Sequence, residues 1–412
     1  MMNSKRFMAA GLSVLLSMGM LAGCGGTSTS SSSTGEIVTA KLTVWGPSED
    51  QAEDNNWLKT QCEAFAEENK DKYDLTFEYG TCSEGDAGET VSKDAEAAAD
   101  VYMFANDQIP TLTSANALSK LGGTNLETIQ GLNSETTMAT VTYEDAVYGV
   151  PFTGNTWFMY YDKSVYSEDD IKNLDTMLEK GKVGFPLENS WYIASFYVAN
   201  GCTFFGEDGT DESAGIDFSG DKAVAVTNYL VDLNANSNFV NMGSETGADK
   251  IGKKVDAMFS GSWDAATVKE QLGDNMGVAA LPTITIDGEE KQMKSFAGSK
   301  AIGVNPNCEN QDVAVALAAY LGGESAQKAH FEARGIIPTI ASVDVGDDAV
   351  SAAQVATMDG TSIVQPVYSA MGSYWDPAAS MGSEIAKGTV THDNASDKTE
   401  SMNTAMNTST VE

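Results

Sequence analysis

The residue with the sharpest chemical context is Cys24, which closes the run Leu21-Ala22-Gly23-Cys24. Small side chains at Ala22 and Gly23 fit a peptidase groove, and the Cys24 thiol is a nucleophile able to take up a lipid. Lys5 and Arg6 precede an apolar stretch over 7–21 that is too short and too Gly/Ser-broken to span a membrane. The order predicts a lipoprotein signal peptide over 1–23. A Gly/Ser/Thr tether follows over 24–39, since such a run cannot bury a core. The expected location is the extracellular face of the cell membrane, anchored by lipid on Cys24.

Other reactive chemistry is scarce. The chain has no GxSxG, HExxH, P-loop or dinucleotide fingerprint, and its only histidines are His330 and His392. It has no CxxC, so zinc is not expected, and no other metal or cofactor is. The acidic stretch over 206–220 lacks the ligand spacing of a calcium loop and reads as a surface turn. Cys62 in an early helix and Cys82 after a strand are placed to meet on one sheet edge. A bridge between them and two free thiols both stay open. Carboxylates are abundant, so counting them does not exclude a glycosidase, which needs only two. The net charge of −35, with Arg6 and Arg334 the only arginines, argues against nucleic acid and anionic membrane as partners.

The globular part is long enough for two lobes. Strand patterns at 41–46, 74–79 and 100–104 alternate with helical patterns at 55–69 and 92–98, which argues for parallel pairing through crossovers. Ligands of such sheets sit beyond the C-terminal strand ends, here the segments after Trp45, Tyr79 and Phe104. An aromatic strand at 157–161 opens the second half, and helices are expected near 191–199, 222–233 and 312–321. The tail from Thr391 is polar and reads as a fraying final helix.

Several collinear stretches resemble the maltose/maltodextrin-binding proteins, the sugar-capturing subunits of ATP-driven (ABC) importers. They are Leu42-Thr43-Val44-Trp45, the run from Ala99 to Asp107, Tyr148-Gly149-Val150-Pro151 with Tyr160-Tyr161-Asp162-Lys163, the run from Ala257 to Trp263, the run from Gly277 to Pro282, and Gln365-Pro366 leading to Tyr374-Trp375. The resemblance implies an α/β, two-lobed periplasmic-binding-protein-like fold closing on ligand by a hinge. It divides the chain into an N-terminal lobe of 40–152 plus 302–344 and a C-terminal lobe of 153–301 plus 345–412. It implies a monomeric binding protein, not an enzyme, with malto-oligosaccharide as ligand and importer permease subunits as partners. The rivals are a binder of a galactoside or xyloside, a surface glycoside hydrolase and a starch adhesin.

A pyranose offers apolar C–H faces to flat rings and a belt of hydroxyls to carboxylates and amides. The resemblance assigns stacking to Trp263 and Trp375, with Tyr374 beside the latter. It puts Phe104 where the family has a tryptophan, and Trp191 near a stacking tyrosine. Trp157 is open between a cleft and a core position, while Trp45 and Trp57 are assigned to the core or its edge. Among polar groups, Asp107 matches a sugar-binding aspartate and its neighbour Gln108 replaces an arginine. Asn155 stands where a glutamate is expected, and Glu188 or Asn189 matches another acid. Glu49, Asp50 and Glu84 lie in loops near the family's polar ligands.

Overall fold

The computed structural model describes residues 37–53 and 56–408. Cys24, the signal-peptide segment and most of the tether lie outside the described residues. The strand expected from Lys41 begins at Val38, because Val38 already pairs with Tyr73 in the parallel ladder. The last tether positions therefore belong to the sheet.

Val38–Gly46 runs parallel to Tyr73–Thr81 on one side and Val101–Ala105 on the other. Val101 to Phe104 are consecutively buried, as expected for a central strand covered on both faces. Tyr73–Thr81 forms the edge and alternates between exposed and half-buried positions. Beyond Val101–Ala105 lies the long strand Ser295–Val304, antiparallel to it and to Val150–Asn155, and parallel to Ser362–Val364. The helix expected over 92–98 is instead Ala87–Ser92, which buries Ala87 and Val91, and turns lead from it to the strand.

The second sheet has the order Phe239–Asn241, Val183–Phe185, Ala257–Ser260, Phe158–Asp162, Met276–Ala279. Its first three strands are parallel, while Phe158–Asp162 is antiparallel to both neighbours. Against it packs the helix Ser190–Ala199, buried continuously from Tyr192 to Tyr197 and apolar around its whole circumference. The polar tail forms the helix Ala395–Met406. It does not fray but docks through Met402, Met406 and a Thr227–Thr399 hydroxyl bond of 2.6 Å.

Each sheet has its own core. Phe152 and Ala301 belong to the first, Trp157 and Phe296 to the second. The paired strands Val150–Asn155 and Ser295–Val304 therefore carry the chain from one core to the other, and Ser295–Val304 is the linking strand between them.

Candidate functional site

The parallel strands of the first sheet end on one edge, which brings three loops together. Ala105 donates its N–H to Glu84 O at 3.0 Å, and Gly88 N–H bonds Gln108 Oε1 at 2.6 Å. Gln108 thus helps tie the segment after the second strand to the loop after the third. The linking strand meets this edge directly: Asn106 Oδ1 accepts the Ser299 N–H at 2.9 Å, and Lys300 Nζ reaches Glu84 Oε1 at 3.3 Å. Asn155 is the register partner of Gly298, half-buried beside them. Asp107 is exposed at its surface, yet protein surrounds it on other sides. The lost hydration holds its carboxyl above the usual aspartate range.

The second sheet contributes the ends of three parallel strands. Glu188 follows Val183–Phe185; it accepts from Asn241 Nδ2 at 3.0 Å, and its N–H bonds Gly243 O. Asn189 caps the helix Ser190–Ala199 by accepting from Trp191 N–H at 3.0 Å, which fixes Trp191 in the first turn. Trp263 stands after Ala257–Ser260 in a turn held by Tyr160, whose hydroxyl donates to Gly261 O at 2.9 Å. Ser260 Oγ braces the same turn by donating to Asp264 at 2.6 Å. Trp263 is 50 % exposed, and its ring lies 6.0 Å from that of Trp191, tilted by 36°.

The first group meets the linking strand directly, and the second reaches it through Gln365, which accepts from Trp191 Nε1. Gln365 N–H donates to Ala297 O, Gly298 pairs with Asn155, Ser299 bonds Asn106 and Lys300 pairs with Glu84. Residues 297–300 thus connect, on one side, to Asn155, Asn106 and Glu84 of the first sheet's edge and, on the other, through Gln365 to the segment that bears Trp191. Flat apolar rings beside hydroxyl-bonding groups suit a polyhydroxylated ligand.

The structure redistributes several expected ligands. Phe104 is fully buried, wedged between Gly149 and Gly303, because its strand is central. Trp157 is fully buried too, stacked on Tyr192 at 4.7 Å, which closes its open assignment in favour of the core. Tyr374 is buried and donates its hydroxyl to Ser190 O at 2.7 Å, so it supports the segment bearing Trp191 from beneath. Trp375 is half-buried, edge-on to Phe296 and Tyr374, and not paired with Trp263. Asn189 spends its carboxamide on the cap and on Ser244 O. Asp50 is sealed from solvent against His330 and Arg334. Burial alone would push its carboxyl up, but these two partners outweigh that and hold it below the ordinary value. Glu49 beside it stays exposed, its carboxyl lowered by backbone and Ser48 hydrogen bonds. Cys62 and Cys82 are free thiols, both buried. Burial pushes the Cys62 thiol up to about 12. Trp57 is in the core as expected, bonding Ala326 O, and Trp45 is half-buried at its edge. Lys300, Asn241 and Gln365 carried no assignment. Only Gln365 had a signal, as part of the Gln365-Pro366 landmark.

The family model for bacterial extracellular solute-binding proteins matches residues 60–357. A galactooligosaccharide-binding protein of Bacillus subtilis (strain 168) is 25% identical over 392 residues, covering 89% of this chain and 89% of that protein. A structure solved with acarbose is 54% identical with a TM-score of 0.80, covering 90% of this chain and 99% of that one. A maltodextrin-binding protein of L. casei BL23, solved without ligand, superposes with a TM-score of 0.82 at 22% identity over 90% of this chain and 100% of that one. The fold is thus the mixed α/β, two-sheet fold of the periplasmic binding proteins. The chain is a binding protein rather than an enzyme, and it belongs to the bacterial extracellular solute-binding protein family.

Proposed function

We propose that the protein captures malto-oligosaccharides in the cleft above residues 297–300 and hands them to an ABC importer. The observation that carries this reading is the Trp191–Trp263 pair, with one indole half exposed at a strand end and Glu188 after the neighbouring parallel strand. A tilted indole pair suits the curved face of an α-linked glucose chain, and acarbose, held by the 54% identical protein, is an α-linked pseudo-oligosaccharide. Asp107, Asn155, Glu84 with Lys300, Glu188 and the exposed Glu49 supply hydroxyl partners, and Trp375 offers its free edge. Phe104, Trp157, Tyr374, Asn189 and Asp50 act behind this surface.

Ligand touching both walls favours the closed arrangement of the lobes to the extent that it binds that arrangement better. The closed shape is what importer permeases read, and the Cys24 lipid keeps the monomer at the membrane. The lobes divide near 152/153, 301/302 and 344/345, the first two lying in the paired strands Val150–Asn155 and Ser295–Val304.

Galacto-oligosaccharide is the rival ligand, favoured by the Bacillus subtilis relative. Titration calorimetry with maltotetraose, acarbose and a galacto-oligosaccharide decides between them. Heat with the first two and none with the third is expected; the reverse pattern overturns the glucan reading. Trp263→Ala, at a half-exposed site, should weaken maltotetraose binding by about 2 kcal/mol while leaving thermal stability unchanged.

A further inference from the structure

Trp191 is half-buried beside the exposed Trp263, and its single polar side-chain atom is turned into the protein. Its Nε1–H donates to Gln365 Oε1 at 2.9 Å, and Gln365 is only 7 % exposed. The two residues are 174 positions apart and join different elements. Gln365 is itself held: its backbone N–H donates to Ala297 O at 2.9 Å, one step beyond the parallel rungs between Ser295–Val304 and Ser362–Val364. Pro366 follows, and a residue before proline is kept out of helical conformation. Gln365 therefore stays extended, with its amide on the linking strand and its carboxamide toward the indole.

An indole has one donor and no acceptor, so a single well-placed acceptor selects one orientation of the ring. Removing that acceptor leaves a half-buried N–H to go unpaired or swing to another partner, and either outcome moves the plane. Trp263 lies tilted against that plane at 6.0 Å, so the geometry of the pair depends on it. The geometry points to Gln365 as the positioning residue that orients the Trp191 ring and ties the indole pair to the strand joining the two lobes. Gln365 need not touch ligand for this. The inference rests on the sugar-capture reading only for its effect on affinity.

The test uses the full mature protein and the substitutions Gln365→Leu and Gln365→Glu, each in the native and the Trp191→Phe background. The near-ultraviolet circular dichroism of the free protein reports the coupled indoles, and calorimetry with maltotetraose reports affinity. Gln365→Leu is expected to change the indole bands and weaken binding about tenfold. Gln365→Glu keeps an acceptor oxygen and should restore the bands, with affinity within about threefold of native. In the Trp191→Phe background Gln365→Leu should add nothing to either readout. Unchanged bands and affinity in Gln365→Leu, or equal losses with and without Trp191, would overturn the assignment. If the native protein does not bind maltotetraose, the sugar reading fails alone, because the dichroism of the free variants still decides the role of Gln365.

Discussion

Asp50 Oδ1 and His330 Nε2, 280 residues apart in the chain, meet at 2.7 Å in a site almost closed to water. The imidazole stacks on Trp57 at 4.2 Å and on Phe152 at 5.7 Å, and the Arg334 guanidinium reaches the same carboxylate oxygen. The arrangement ties the helix Glu324–Arg334 to the turn Ser48–Gln51 and so holds the loop that presents Glu49.

Removing one member of such a buried charge cluster leaves the others unpaired. Asp50→Ala should lower unfolding stability by about 3 kcal/mol in a urea titration. The sign of the pH dependence follows from the lowered carboxyl. The unfolded chain takes up the proton first as the pH falls, so the stabilisation is complete above about pH 4, the ordinary aspartate value, and is lost as the pH drops through the lower folded value. The stability gap between native protein and Asp50→Asn should therefore narrow below about pH 4. A gap that is constant from neutral pH into that acid range would contradict the pairing.

Gly261 matters for the space it leaves. A Cβ there would fall 2.0 Å from the edge of the Trp263 ring, closer than any real carbon contact. The backbone at Gly261 is ordinary, with φ −92, so the effect is steric alone. Gly261→Ala should displace the indole and weaken maltotetraose binding about tenfold. In Trp263→Ala, where no ring opposes the methyl, the same substitution should cost nothing further, which a double-mutant cycle measures.

Asp107 behaves in the opposite sense to Asp50. Its raised carboxyl means that the folded state holds the proton more tightly than the unfolded chain does, so the ionised group opposes folding at neutral pH. Asp107→Asn should raise the melting temperature at pH 7, with the gain fading as the pH falls through the raised value. It should also weaken sugar binding, because an acceptor-only carboxylate is replaced. Lower stability of Asp107→Asn at pH 7 would rule out this reading.

The four thiols Cys62, Cys82, Cys202 and Cys308 are free and buried. A protein beginning after Cys24 should react slowly with a thiol reagent when native and yield all four on unfolding. Its melting temperature should not respond to dithiothreitol. Two missing thiols would restore the bridge between Cys62 and Cys82.

Local runs of residue type already carried much of this. The apolar run at 101–104 and the alternation at 74–79 fix which strand is central and which is at the edge, because period and burial are properties of a few neighbouring residues. The same runs put the loops after Trp45, Tyr79 and Phe104 on one edge, and collinear landmarks supplied the two-lobed binding fold. The exposed place of Trp263 in a turn after a strand was legible in this way. The chain alone did not decide which of several equivalent rings and acids meet solvent. Phe104, Trp157 and Tyr374 are chemically as fit to stack as Trp263, yet partners from remote segments cover them. Asp50 looks like its neighbour Glu49 until His330 and Arg334 arrive from 280 residues away or more. Trp191 gains its orientation from Gln365, on an element formed late in the chain. Exposure and orientation depend on what packs from a distance, and distance along the chain carries no record of it.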